Sequence, residues 1–184
     1  ESYFNLENYL AAIPFLKAYK GKNGKLNNTD YYQLGFAFFK QNDFQNAIAH
    51  FNKIIDQKNA VSQNAYYHLA ECYLKIVKKN EALNAFKTAS EMDFSVKIKE
   101  DAALNYAKLS YEEGNPFENV ADVLQNYLKN YPTSTSYKEI NQLVVYSYIH
   151  QQDYKGALNY LKKKKSEDNA ALTLEVSLYR GIQL

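Results

Sequence analysis

The sequence predicts an all-α chain of helices packed in consecutive pairs, and three observations carry that prediction. The first is a repeat. Ala12, Ala47 and Ala82 stand 35 residues apart, and each is followed four residues later by a bulky side chain: Leu16, Phe51 and Phe86. The pattern continues at Val120/Leu124 and Ala157/Leu161, after steps of 38 and 37 residues. The second observation is a further helical pattern upstream of each of these segments: Leu34-Gly35 with Phe38, Leu69-Ala70 with Tyr73, Tyr106-Ala107 with Ser110, and Val144-Val145 with Tyr148. Spacing of i, i+1, i+4 marks one helix face, and a small residue in mid-pattern lets a neighbouring helix come close. The third is sparse punctuation, with six glycines and three prolines in 184 residues. A period near 35 residues holding two helical patterns describes units whose apolar faces are covered by their neighbours.

Taken in chain order, residues 1–6 read as the tail of a first helix and 8–20 as its partner. Pro14 falls about two turns into that partner, where it should remove a hydrogen bond and kink the chain. Residues 21–28, Gly-Lys-Asn-Gly-Lys-Leu-Asn-Asn, form the one clear loop. Complete helix pairs are expected over about 29–58, 62–93, 98–130 and 136–165, and a last helix over about 167–184 opens a further unit with no partner. Within the pairs lie polar connectors: Gln41-Asn42-Asp43, Lys78-Lys79-Asn80, Glu113-Gly114-Asn115 and Gln151-Gln152-Asp153. Their Asp and Asn residues suit the N-cap of the second helix, where a side-chain oxygen accepts from an unpaired backbone N–H. No linker composition interrupts the chain, so residues 1–184 are expected to form a single repeat segment. It starts without an initiator Met or signal peptide and stops inside a helical pattern, which reads as a piece of a longer chain. Its terminal helices should then expose apolar surface capable of self-association.

Composition narrows the function. Net charge is +2, from 22 basic and 20 acidic residues, and Arg180 is the single arginine. Arginine forks normally read phosphates and bases, so no nucleic-acid partner is expected. Mean hydropathy is −0.54 and no apolar run approaches the ~18 residues of a spanning helix, so direct membrane insertion is not expected either. One cysteine, Cys72, excludes an internal disulfide framework and a Cys-rich zinc site. Glycine-rich phosphate loops, His-Glu-x-x-His, Cys-x-x-Cys and Gly-x-Ser-x-Gly are all missing. His68 and Cys72 stand four apart on one helix, which is metal-ligand spacing, but two ligands do not make a site and Cys72 reads as a packed thiol. His50 falls on a second helix and His150 near the end of a first helix, neither beside an acid or nucleophile. The expectation is no catalytic residue, no metal and no cofactor. The run Lys162–Lys165 reads as a solvated helix C-terminus, where lysines complement the helix dipole.

The segment Tyr31-Tyr-Gln-Leu-Gly-Phe-Ala-Phe-Phe-Lys-Gln-Asn-Asp-Phe-Gln-Asn-Ala-Ile-Ala-His-Phe51 resembles the signature of the tetratricopeptide repeat (TPR) family. Asp153-Tyr-Lys-Gly-Ala-Leu158 repeats its second half, and Tyr131-Pro132 supplies the proline that often closes a repeat. There are departures: Ser110 stands where an aromatic is usual, one residue is gained around Pro116, and Lys164 replaces a small buried residue, so its helix should end early or fray. The resemblance covers essentially the whole chain. It implies antiparallel helix pairs stacked into a right-handed α-solenoid, and a non-catalytic scaffold that binds a protein or peptide in a concave groove lined by the first helix of each pair.

Carried over position by position, that groove falls on Tyr32, Phe36, Phe39 and Lys40, then on Tyr67, Glu71, Leu74 and Lys75. Next come Leu104, Lys108, Tyr111 and Glu112, then Gln142, Tyr146, Ile149 and His150, with Phe4 in the truncated first unit. An aromatic groove with scattered charge suits a peptide, because tyrosines give large contact area at low entropic cost. The alternative is that these rings pack on one another. One TPR subtype clamps the carboxylate of acidic C-terminal peptides with Lys, Asn and Arg. The corresponding positions hold Tyr32, Phe36 and His68, then Tyr67, Glu71 and Asn105, so that clamp is missing. The Tyr-, Asn- and Lys-rich style, including Asn8–Leu16 and Leu124–Ser134, also looks like long TPR proteins of Bacteroidetes-type bacteria and repeats of cell-envelope proteins. This implies a periplasmic or envelope-associated role in assembly. A spacer in a longer solenoid and the regulatory arm of a larger protein are the competing readings.

Overall fold

A computed structural model describes residues 2–163 and 169–183, and among them it holds eleven α-helices and no strand. They are α1 (Ser2–Asn5), α2 (Tyr9–Ala18), α3 (Asn28–Lys40), α4 (Phe44–Phe51), α5 (Ala60–Lys75), α6 (Lys79–Ser90), α7 (Val96–Glu113), α8 (Val120–Asn130), α9 (Tyr137–His150), α10 (Tyr154–Lys163) and α11 (Asn169–Gln183). The chain gathers into two compact units, residues 1–106 and 107–184. In the first, α1 packs on α2, α3 on α4 and α5 on α6, and α2–α3, α4–α5 and α3–α5 contacts stack these hairpins. In the second, α8, α9, α10 and α11 each pack on the next, and α9 also touches α11.

One turn geometry builds the hairpins, and it explains the alanine repeat. Glu7, Asn42, Val77 and Gln152 each take a left-handed φ between 58° and 60°. Each donates its N–H three residues back, to Phe4, Phe39, Leu74 and Ile149. The following residue donates five back, from Asn8 to Tyr3, Asp43 to Phe38, Lys78 to Tyr73 and Asp153 to Tyr148, at 2.8–3.0 Å. This is the Schellman closure, which satisfies the last carbonyls of the first helix. The same residue then opens the next helix: Asn8, Asp43, Lys78 and Asp153 accept at their carbonyls from Ala12, Ala47, Ala82 and Ala157, all at 3.0 Å. The repeated alanine therefore sits one turn inside each second helix, wholly or almost wholly buried where that helix meets its partner.

The sequence places two of the connectors differently from the structure. Lys78-Lys79-Asn80 is not the turn; α5 ends at Lys75, the turn is Ile76–Lys78, and Asn80 lies inside α6. The cap position falls on Lys78, which makes no side-chain capping bond, whereas Asn8 and Asp43 do. Nor does Asn115 cap α8; that role belongs to Asn119, which accepts from Ala121 and Asp122. Asn115 instead folds the longer connector, accepting from Phe117 and Glu118 and donating to buried Ser110 at 2.9 Å. A hydroxyl at Ser110, in place of the usual aromatic, thus anchors the loop that holds the extra residue.

Other boundaries shift by small amounts. α4 ends at Phe51, and the i−3 bonds of Lys53 and Ile54 tighten the chain so that Ile54 is buried. α2 continues through Pro14 to Ala18, so the lost N–H costs one bond without breaking the helix. The 21–28 loop closes on itself through an isolated bridge between Lys22 and Lys25. Lys164 and Lys165, with the expected fraying there, lie outside the described residues.

The core is made of paired small and large residues. Ala47, Ala65, Ala70, Ala82, Ala102, Ala107 and Ala157 are fully buried, as are Phe51, Val144 and Val145, with Leu69, Phe86 and Leu124 at most 2% exposed. At Gly35 the fit is close: a Cβ there would lie 2.8 Å from Cδ1 and Cε1 of Phe51. Buried polar residues also join elements. Gln63 on α5 donates to the carbonyls of Ala89 at 3.1 Å and Met92 at 2.6 Å and accepts from the Ser95 N–H at 2.7 Å. It thereby fixes the exit of α6.

Candidate functional site

The expected groove residues divide between the two units. Tyr32, Phe36, Phe39 and Lys40 lie on α3 and Tyr67, Glu71, Leu74 and Lys75 on α5, all in the first unit. Lys108 and Tyr111 lie on α7 and Tyr146 and Ile149 on α9, in the second. They therefore form two patches.

In the first patch the rings are neighbours. Phe36 stands 5.9 Å from Tyr32, 6.1 Å from Phe39, 5.5 Å from Tyr9 and 6.0 Å from Phe4. His68 of α5 fits between them, 5.1 Å from Phe36, 5.2 Å from Phe39 and 6.1 Å from both Tyr32 and Phe51. Its Nδ1 lies 2.6 Å from Glu71 Oε2. Such pairs contribute about 0.5–1.5 kcal/mol each beyond their buried area, so much of this aromatic content holds α3 against α5. Burial raises the Tyr32 hydroxyl far above the ordinary phenol range, and the carboxylate of Glu71 and the hydroxyl of Tyr9 add to the shift. Tyr67 is raised first by burial and then by Glu71 and Asp101, against a hydrogen bond with Asn105 that lowers it. Neither phenol serves as a base at neutral pH. At the rim, Leu74 is 37% exposed and Lys75 is exposed, while the Lys40 ammonium lies 5.1 Å from the Phe36 ring centre.

The second patch is smaller. Lys108 pairs with Glu139 at 2.8 Å, and Tyr111 stacks on His150 at 5.6 Å and 23°. Burial, then the neighbouring Tyr146 hydroxyl, raises the Tyr111 phenol. The surface ion pair contributes little to stability, about 0–1 kcal/mol, but it occupies the lysine.

A third row was missed from the sequence. Leu34, Leu69, Val144 and Val176 are the equivalent buried residues of α3, α5, α9 and α11. Two before each stand Tyr32, Tyr67, Gln142 and Leu174; two after stand Phe36, Glu71, Tyr146 and Leu178; six after stand Lys40, Lys75, His150 and Ile182. Leu174, Leu178 and Ile182 therefore continue the groove register, 74%, 64% and 76% exposed. The signal was available as an i, i+4, i+8 apolar stripe. It goes unread because the 32-residue step from Val144 to Val176 breaks the 35-residue period.

The metal and enzyme candidates separate cleanly. Cys72 is fully buried, and burial pushes its thiol up to about 12, with the Glu71 charge second. It is a packed thiol, and His68 is engaged with Glu71. No group of three or more metal-ligating side chains occurs among the described residues. An open pocket of about 530 Å³ beside α2 is lined by Tyr3, Phe15, Leu16, Tyr19, Asp30 and Gln33, among others. Its one carboxylate, Asp30, closes the capping box of α3 with Asn27. Among the described residues no helix is long and apolar enough to cross a membrane.

Comparison with known proteins agrees with this architecture. Residues 24–89 match the family model described as anaphase-promoting complex, cyclosome, subunit 3. MamA from AMB-1 superposes with a TM-score of 0.64 at 15% identity, over 92% of this chain and 91% of that one. The C-terminal part of a TPR repeat-containing protein from Cytophaga hutchinsonii superposes with a TM-score of 0.59 at 16% identity, over 88% of this chain and 60% of that one. Comparison with curated protein sequences finds no match. Such repeats generally serve as non-enzymatic protein-interaction scaffolds. Repeat signature, hairpin geometry and structural likeness converge: the chain has the stacked helix-hairpin fold seen in tetratricopeptide-repeat proteins.

Proposed function

We propose that this protein is a non-catalytic scaffold that binds a peptide or partner segment along the groove register of its first helices. One observation supports it above the rest. In each unit the register still presents apolar side chains to solvent: Leu74 at the rim of the first patch and, separately, Leu174, Leu178 and Ile182 on α11. Exposed apolar side chains of this kind are suited to a partner's anchor residues. The envelope-assembly role rests on the sequence style of Leu124–Ser134 alone and is part of the same proposal.

The spacer reading also has an observation in its favour, since Tyr32, Phe36 and Tyr67 are engaged with Phe51, His68 and Phe86. A test must therefore use rim positions as well as these rings. Leu74→Ser and Leu178→Ser leave the core untouched. Probed on an array of short peptides beside Tyr32→Ala/Phe36→Ala/Tyr67→Ala, they should lose the peptides that the wild type retains. If both rim variants retained every peptide at equal strength while folded, the groove reading would be wrong and the spacer reading would stand.

A further inference from the structure

Beyond peptide binding, we infer that the apolar row of α11 is a self-association surface, covered by α11 of a second copy of this chain packed antiparallel across a two-fold axis. The helix is one-sided. Leu172 and Val176 are buried where α11 packs on α10 and α9, whereas Leu174, Leu178 and Ile182 are each at least 64% exposed. Four-residue steps place those three on one ridge, about 12 Å long. Ala171 and Gly181 lie beside it and are exposed, and a Cβ at Gly181 would have nothing within 4 Å. No charged residue stands on the ridge; Glu175 and Arg180 are the only two on α11.

Symmetry and size select a second copy as the occupant. Leu178 is the centre of the row, with one apolar residue four positions before it and another four after. Antiparallel pairing about Leu178 sets Leu174 opposite Ile182 of the second copy and Leu178 opposite itself, so each apolar side chain meets another and the surface is its own complement. Glu175 then falls opposite Gly181 of the second copy, one residue from its Arg180, so the pairing opposes no like charges. Gly181, with no side chain, lets the two helices approach closely. Three side chains exposed to this degree, with Ala171 and Gly181, offer on the order of 450 Å² per copy, or about 900 Å² in total. That is the size class of transient complexes, so the dimer is weak and reversible, with a dissociation constant in the micromolar to millimolar range.

Sedimentation of the whole chain from micromolar to millimolar concentration should show a monomer–dimer equilibrium. Leu178→Asp sets two carboxylates against each other at the axis and should weaken the dimer by about ten-fold or more. Leu174→Asp, away from the axis, should also weaken it, and Leu74→Ser in the first unit should change nothing; circular dichroism verifies each fold. Cross-linking with a short bis-maleimide then reads the geometry, since the native thiol of Cys72 is buried. Leu178→Cys should link copy to copy. Leu174→Cys should link to Ile182→Cys in a mixture and poorly to itself, because its own counterpart lies about 12 Å further along the helix. A monomer at every concentration would overturn the inference. So would a dimer that survives both Asp variants, by placing the contact elsewhere, or a Leu174→Cys that links best to itself, by excluding the antiparallel register. The groove reading fails or stands separately. A dimer whose Leu178→Ser variant keeps every array peptide upholds this inference without peptide binding at α11. A monomer whose Leu178→Ser variant loses peptides upholds the groove and overturns the inference.

Discussion

Gly35→Ala puts a single methyl group against the buried Phe51 ring of the first unit. The new Cβ would sit 2.8 Å from two carbons of the Phe51 ring and 3.2 Å from a third, whereas carbon atoms settle at about 3.5–4.0 Å. The ring must retreat by most of an ångström. Phe51 is fully buried, with Tyr32 at 5.8 Å and His68 at 6.1 Å, so its retreat presses on the α3–α5 patch. Overpacking of this kind costs about 1–3 kcal/mol. Alanine recovers about 1 kcal/mol in helix propensity, so the expected net effect runs from near zero to a loss of about 2 kcal/mol. A control isolates the steric part. Gly181 is also helical, and nothing lies within 4 Å of its added Cβ, so Gly181→Ala should gain up to about 1 kcal/mol. The two variants should differ by about 1–3 kcal/mol, or roughly 2–12 °C in Tm for a chain of this size. Thermal and urea unfolding followed by circular dichroism measure the difference. Equal shifts in the same direction for both variants would refute the close-approach argument.

Further predictions follow from the turns and the buried polar groups. Val77 holds a left-handed φ of 60° while 73% exposed, so Val77→Asn, the residue found at the equivalent Asn42, should raise stability by about 1 kcal/mol in the same unfolding assay. Lys78→Asn supplies the missing cap of α6 and should add about 1 kcal/mol; no gain would mean that the α6 N-terminus is satisfied in another way. Gln63→Ala strands the Ser95 N–H and two carbonyls, and should cost about 2–4 kcal/mol with faster amide exchange at Ser95. Cys72 has a folded pKa of about 12, above the ~8.5 of an unfolded thiol, so the folded state keeps its proton longer. Its contribution is intact below about pH 8.5 and is lost as pH rises towards 12, by up to about 1.4 kcal/mol per pH unit. Cys72→Ala should flatten that alkaline decline, and the native thiol should resist alkylation at neutral pH.

Helix existence and pairing were legible because they depend on local patterns. The alanine period marks the first ladder bond of each second helix, and apolar spacing marks each buried face. Two connectors were misplaced for a physical reason: hydrogen bonding sets a Schellman turn, so Val77 and Lys78 hold the geometry that Asn42 and Asp43 hold elsewhere. Residue preference alone cannot reveal that exception. At the site, register arithmetic locates Tyr32, Phe36 and Tyr67 on the right helices but is silent on how those rings are shared. His68 draws them into inter-helix packing and bonds to Glu71. The α11 row escaped because it follows the burial of Val176, a contact with the preceding helices, and departs from the repeat period.

The amino-acid order was therefore enough to define the all-α hairpin repeat and to place the expected groove positions on helices. Periodicity, small-residue positions and turn lengths are properties of neighbouring residues, and they survive without long-range contacts. Which side chains on those helices remain open to a partner depends on contacts between residues about 20–35 positions apart, such as Phe36 with His68 and Lys108 with Glu139. Burial and charge pairing at that separation come into being when the hairpins stack, and they leave Leu74, Lys40 and Lys75 as the exposed edge of the first patch.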